Sequence, residues 1–122
     1  MSFTFTVIDH IQLAAPKGSE EKARAFYHDI LGFEEIEKPF ALKERGGVWF
    51  GFNTYQIHIG IDEAFSPAKK AHPAFAVYPI NELKKHLEKN NVEYTIDDKI
   101  PDVERIFIED PFGNRIEFLE RI

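Results

Sequence analysis

Apolar and polar residues alternate through Val-Ile-Asp-His-Ile-Gln-Leu at positions 7–13. That period of two predicts a strand with Ile8, His10 and Gln12 on one face and Val7, Asp9, Ile11 and Leu13 on the other. The period then changes. After the breaker cluster APKGS, residues Ala23, Phe26, Tyr27, Ile30 and Leu31 fall at helical spacing and form one apolar stripe. This predicts a helix from Glu20 to Leu31, with Ser19 as its N-cap and Gly32 as its stop. Phe33 to Ile36 reads as a short strand. Val48 to Phe52 and Tyr55 to Ile61 read as two strands joined at Asn53-Thr54.

The same order recurs in the second half. Pro73 to Tyr78 is a predicted strand, and Asn81 is the expected cap of a helix that turns Leu83 and Leu87 inward and ends at Asn90-Asn91. Val92 to Thr95 is a predicted short strand. Arg105 to Glu109 and Arg115 to Glu120 form a predicted hairpin across DPFGN. Two copies of βαβββ predict an α+β fold with two curved sheets facing each other. The expected organisation is a single domain over 1–122, with modules 1–62 and 72–122 and a surface linker, 63–71, carrying Pro67 and two lysines.

Composition narrows the chemistry. The chain has 122 residues and no cysteine, which removes disulfides, thiolate metal sites and a cysteine nucleophile. A net charge of −6 without a basic patch argues against nucleic acid and anionic membrane surfaces as partners. The N-terminus lacks a signal-peptide pattern and no apolar run approaches membrane-spanning length, so a cytoplasmic location is expected. Twelve phenylalanines predict either a Phe-rich core or an aromatic-walled pocket.

The candidate chemistry sits at matching places in the two halves. His10 and His58 lie on the first and last strands of one module, and His72 and Glu117 on those of the other, at separations of 48 and 45 residues. If the modules are related by a pseudo-twofold axis, the four side chains converge. Three imidazoles and a carboxylate suit Zn, Ni, Mn, Fe or Co rather than calcium, and an octahedral ion would keep two positions for water or a bidentate substrate. Each histidine taken singly would be ordinary half-buried structure; the paired placement favours a site. His28 and His86, on the polar faces of the helices, read as surface residues.

The segments DHIQLA, KARAFYHDILGFE, HPAFAV and DPFGNRIEFLE resemble the vicinal oxygen chelate superfamily over essentially the whole chain. This is the group of glyoxalase I, fosfomycin- and bleomycin-resistance proteins and extradiol dioxygenases. The resemblance implies paired βαβββ modules and a divalent metal held by His10, His72 and Glu117. The fourth position, often Glu in glyoxalase I-like members, is His58 here, and Gln56 shares its strand face. The implied function is a glyoxalase-like lyase or isomerase, or a dioxygenase-like enzyme, acting on a small substrate that chelates the metal through vicinal oxygens. The alternative is a non-catalytic, bleomycin-resistance-like binding protein.

Glu117 is the candidate catalytic base should it leave the metal. Candidate pocket residues are Trp49, Tyr55, Arg105 and Phe107, with Phe50, Tyr94 and Arg45 as further members. The Gly46-Gly47 pair before Trp49 reads as either a mobile lip or a plain turn. The resemblance also implies a homodimer. With modules exchanged, His10 and His58 would come from one chain and His72 and Glu117 from the other; otherwise one chain builds the site.

Overall fold

The computed structural model describes residues 2–122. Its first module runs β1 (Ile11–Ala15), α1 (Glu20–Ala23), β2 (Glu34–Ile36), β3 (Val48–Phe52) and β4 (Tyr55–Ile61). The second runs β5 (Ala74–Ala76), α2 (Ile80–Lys89), β6 (Thr95–Asp97), β7 (Val103–Glu109) and β8 (Arg115–Arg121). Each module builds a four-stranded mixed sheet, ordered β1-β4-β3-β2 and β5-β8-β7-β6. First and last strands pair in parallel and the others antiparallel. This is the paired βαβββ architecture. No helix among the described residues is long and apolar enough to cross a membrane.

Several local expectations shift, each for a physical reason. The first strand enters its ladder at Ile11 rather than Val7. Ile11 pairs with Ile57, and β4 begins only two residues earlier at Tyr55, so the preceding segment runs past the end of its neighbour. Phe3, Phe5, Val7 and Ile8 in that arm are 58–88% exposed. The Ser19 hydroxyl donates back to the Pro16 carbonyl and makes no N-cap bond. α2 starts at Ile80, before the expected Asn81. Its first N–H is taken by the Glu120 carboxylate at 2.8 Å, a cap delivered from β8.

The second strand of the second module lies at 95–97, not 92–95. Asn91 adopts a left-handed φ of 59°, and the amides of Asn91 and Val92 donate to the carbonyls of Glu88 and Leu87. That double bond is a Schellman ending, so Val92 belongs to the helix terminus. A short 3₁₀ helix, Phe40–Arg45, had no counterpart in the sequence pattern. Gly47 behind it is a seated turn. Its φ is +88°, and an added Cβ would lie 2.3 Å from the Ile59 carbonyl oxygen.

α1 continues without a break into π-helical turns over Arg24–Ile30, closed by the Leu31 N–H bond to Phe26 O at 2.9 Å. The wider turn buries two consecutive residues, Phe26 and Tyr27. His86 is exposed, as expected, but its Nε2 reaches the Ile30 carbonyl at 2.6 Å and ties the two helices together. His28 does likewise locally, bonding the Phe33 carbonyl through Nδ1.

One continuous core takes Leu13, Val48, Phe50, Ile57 and Ile59 from the first sheet and Ile106, Ile108, Ile116 and Phe118 from the second. Strand parity sends the alternate residues to the opposite faces: Trp49, Gln56 and His58 on one sheet, Arg105, Phe107 and Glu117 on the other. The aromatic-rich composition thus builds a core, while a smaller aromatic set lies on the outer faces.

A buried polar hub locks the halves. Asp110, 5% exposed, accepts from the Tyr27 hydroxyl at 2.7 Å, from Asn114 Nδ2 at 3.0 Å, and from the amides of Phe112 and Asn114 at 2.9 Å. Asn114 Nδ2 also donates to Ala14 O, and its Oδ1 accepts from the Ala68 amide. Burial, then the Asp110 charge, pushes the Tyr27 hydroxyl well above a tyrosine's ordinary value near 10. Tyr27→Phe is expected to cost about 1.5–3 kcal/mol, the worth of a hydrogen bond to a charged group, read from urea unfolding. Unfolded Tyr27 ionises near pH 10 while the folded one stays protonated. The wild type should therefore hold its full stability below pH 10 and lose it as pH rises further, with a shallower loss in Tyr27→Phe.

Candidate functional site

The outer face of the first sheet carries a three-ring stack. Trp49 and His58 are direct cross-strand partners on β3 and β4. Their rings lie 3.7 Å apart and 3° from parallel. His10 stacks on the other side of His58 at 4.2 Å and 17°. His58 is 4% exposed, and its Nε2–H donates to Gln56 Oε1 at 2.9 Å. Burial, reinforced by the neighbouring His10, holds His58 below the ordinary histidine range. His10 Nδ1–H donates to Asp9 Oδ2 at 2.9 Å, which leaves Nε2 as the available nitrogen.

The outer face of the second sheet carries a charged cluster. His72 Nδ1–H donates to the Lys70 carbonyl, and Nε2 reaches Glu117 Oε1 at 2.9 Å. Arg105 lies behind the carboxylate. Its Nη1 stands 3.5 Å from both Glu117 oxygens and its Nη2 3.3 Å from Asp97 Oδ2. Among the described residues its buried Nε has no partner. The Lys99 amide, with Arg105 beside it, holds Asp97 below the usual carboxylate range. Phe107 meets His72 edge-on and lies between the guanidinium groups of Arg105 and Arg115, at 5.1 and 5.0 Å.

The predicted residues thus gather as two sets: His10, His58 and Trp49 on one sheet, His72, Glu117, Arg105 and Phe107 on the other. Among the described residues, no three His, Asp or Glu side chains come together to hold an ion within one chain. Tyr55 lines a cleft of about 340 Å³ with Asp9, His10 and Gln56, closed on its far side by Ala74 to Ala76.

The three further pocket candidates lie apart from that cleft, though Tyr94 lines another, of about 1090 Å³, with Phe107 and Arg115. Phe50 is wholly buried in the core because its parity is that of Val48. Tyr94 donates to Glu88 across the end of α2, and Arg45 closes the exposed 3₁₀ turn. Asp97 was missed because the strand carrying it was placed three residues early. In the true register it pairs with Arg105. Asp9 was assigned to the opposite face from His10, and only the unpaired backbone before Ile11 lets the two side chains meet.

Removing Arg105 leaves the buried Glu117 carboxylate, and the partly exposed Asp97 beside it, short of their shared cation. Arg105→Met is expected to lower stability by about 1–3 kcal/mol in urea unfolding, with a smaller loss for Asp97→Asn.

The model of the Glyoxalase/Bleomycin resistance protein/Dioxygenase superfamily matches residues 7–118. No protein with a curated description matches the sequence. Among solved structures, a glyoxalase family protein of Bacillus anthracis is 52% identical with a TM-score of 0.97, over 100% of both chains. FosX, a fosfomycin resistance protein of Listeria monocytogenes complexed with Mn(II) and 1S,2S-dihydroxypropylphosphonic acid, is 20% identical with a TM-score of 0.79. That likeness covers 98% of this chain and 95% of FosX. Lactoylglutathione lyase of Agrobacterium tumefaciens is 21% identical with a TM-score of 0.68, over 90% and 91% of the two chains.

Proposed function

Because the chain belongs to the Glyoxalase/Bleomycin resistance protein/Dioxygenase superfamily, we propose that it is a divalent-metal-dependent, glyoxalase-like enzyme whose metal site is shared by two copies of the chain. Its substrate is a small molecule offering two neighbouring oxygens. The observation that carries this reading is the His72–Glu117 pair: two donors 2.9 Å apart on one sheet, with His10 held apart on the other. Two donors make a poor site. A second copy that brought its His10 to this pair would complete one, and by symmetry a second.

The donor chemistry fits. Two imidazoles and a carboxylate, without thiolate, suit Mn, Fe, Co, Ni or Zn. When bound, such an ion supplies a Lewis acid for substrate oxygens. The chain's own residues would do the rest. Asp9 fixes His10 through Nδ1, and the Lys70 carbonyl fixes His72, so that each presents Nε2. Arg105 anchors the Glu117 carboxylate, and its positive charge would favour negative charge building nearby on a substrate oxygen. With Glu117 held from both sides, its role in this reading is that of a ligand rather than a free base. Tyr55 and Phe107 would wall the substrate. FosX, a protein of this fold complexed with Mn(II) and 1S,2S-dihydroxypropylphosphonic acid, supports the reading.

A dimer would also cover the arm. Phe3, Phe5, Val7 and Ile8 lead directly into His10 and are too exposed for a segment with no partner.

Purified without added metal or chelator, the wild type is expected to carry a transition metal, and His10→Ala and Glu117→Ala each to lose it. Mixing the two variants after unfolding and refolding together should restore metal to one site in each heterodimer, since one chain supplies His10 and the other His72 and Glu117. Metal-free wild type would sink the enzyme reading. Variants that lose metal singly and recover none on mixing would place the site within one chain.

A further inference from the structure

We propose that His58 is a positioning residue that holds the His10 ring, and not a fourth metal ligand. The inference rests on the metal reading above and adds a role that its ligand set leaves open. An imidazole nitrogen donates its lone pair within the plane of its ring, so a metal bound to two histidines must lie in both ring planes. The planes of His10 and His58 are stacked face to face at 4.2 Å and inclined by only 17°. Planes so nearly parallel intersect far beyond a metal–nitrogen bond of about 2.1 Å. One ion cannot therefore be shared by the two rings as they stand. His58 Nε2 is also already engaged by Gln56 Oε1 at 2.9 Å.

What His58 does offer is a flat, immobile wall. It is clamped by Trp49 at 3.7 Å and 3°, on neighbouring strands of one ladder, and is 4% exposed. His10 has no such support from the backbone. It sits one residue before β1, outside the ladder. Two contacts orient its ring: the Asp9 carboxylate at Nδ1, and the His58 face. Together they fix the ring's plane and its tautomer, and thereby the direction of Nε2. The rigid Trp49–His58 platform transfers the order of the sheet to a ligand carried on an otherwise unpaired arm.

The discriminating substitutions are His58→Phe, which keeps a flat ring and has no donor atom, and His58→Leu, which fills the space without a stacking face. Circular dichroism would establish that both fold. Zinc affinity of the intact protein, measured calorimetrically, should be within about threefold of wild type in His58→Phe and should fall roughly tenfold or more in His58→Leu, with a larger loss in His10→Ala. Loss in His58→Phe equal to that in His10→Ala would make His58 a ligand and overturn the proposal. Unchanged affinity in His58→Leu would equally overturn it.

A metal-free readout separates this from failure of the metal reading. The His10 ring Hε1 proton should be shifted upfield by stacking in the wild type and in His58→Phe, and should move to a free-imidazole position in His58→Leu. A free-imidazole position in the wild type would sink the positioning role even if zinc binds. A wild type that takes up no zinc would sink the metal reading, while the proton shift still decides whether the stack orders His10.

Discussion

The rest of the molecule hangs on one buried carboxylate. Asp110 sits in the turn between β7 and β8, out of water, and would be costly there alone. It is made tolerable by four donors, and those donors come from different parts of the chain: Tyr27 from the first module's helix, Asn114 from the turn itself, and two turn amides. Asn114 passes the connection on to β1 and to the linker. Two sheets that each close on themselves by pairing first strand with last have no ladder bonds between them. Apolar packing holds them together, and packing alone tolerates sliding. The carboxylate and its donors set one relative placement, and with it the placement of the two outer faces that bear the histidines.

Those outer faces make sense of the site's division. Inside each sheet the alternation of strands is strict, and every core residue forces its neighbour outward. His58 is outward because Ile57 and Ile59 are inward, and Glu117 because Ile116 and Phe118 are. A single chain therefore carries two side-chain clusters on two surfaces, each internally ordered: a stack of rings on one, a carboxylate held between an imidazole and a guanidinium on the other.

Much of this could be read from the residues. The change of period from two to helical and back, twice over, was enough for the order of elements, and parity was enough for the face of His58 and of Glu117. What escaped was what depends on register and on the ends of elements. A Schellman ending at Asn91 displaced β6 and hid Asp97. The ladder between β1 and β4 starts only at Ile11 and leaves the segment before it unpaired, and so lets Asp9 meet a residue that ideal alternation puts on the other face. Phe50 looked like a pocket residue by type and was core by parity. The stacking of His10, His58 and Trp49 depends on side-chain rotamers, which no spacing encodes, and it is there that the expected set of four ligands separates into one stack and one pair.

The wide turn of the first helix carries a consequence for how this chain can change. A π-helical segment holds one residue more than an α-helix would over the same rise. Deleting any single residue between 24 and 30 would allow ordinary turns to form, with no loss of helical hydrogen bonding. It would also rotate one end of the helix against the other by about 100°, so the apolar residues on either side of the deletion could no longer all keep their places in the core. Substitutions on this helix's exposed side should be well tolerated, while a change of length by one, chemically mild as it is, should not be. The segment is thus free to drift in composition and fixed in count, and the residue that enforces the count is Tyr27, through its hydroxyl.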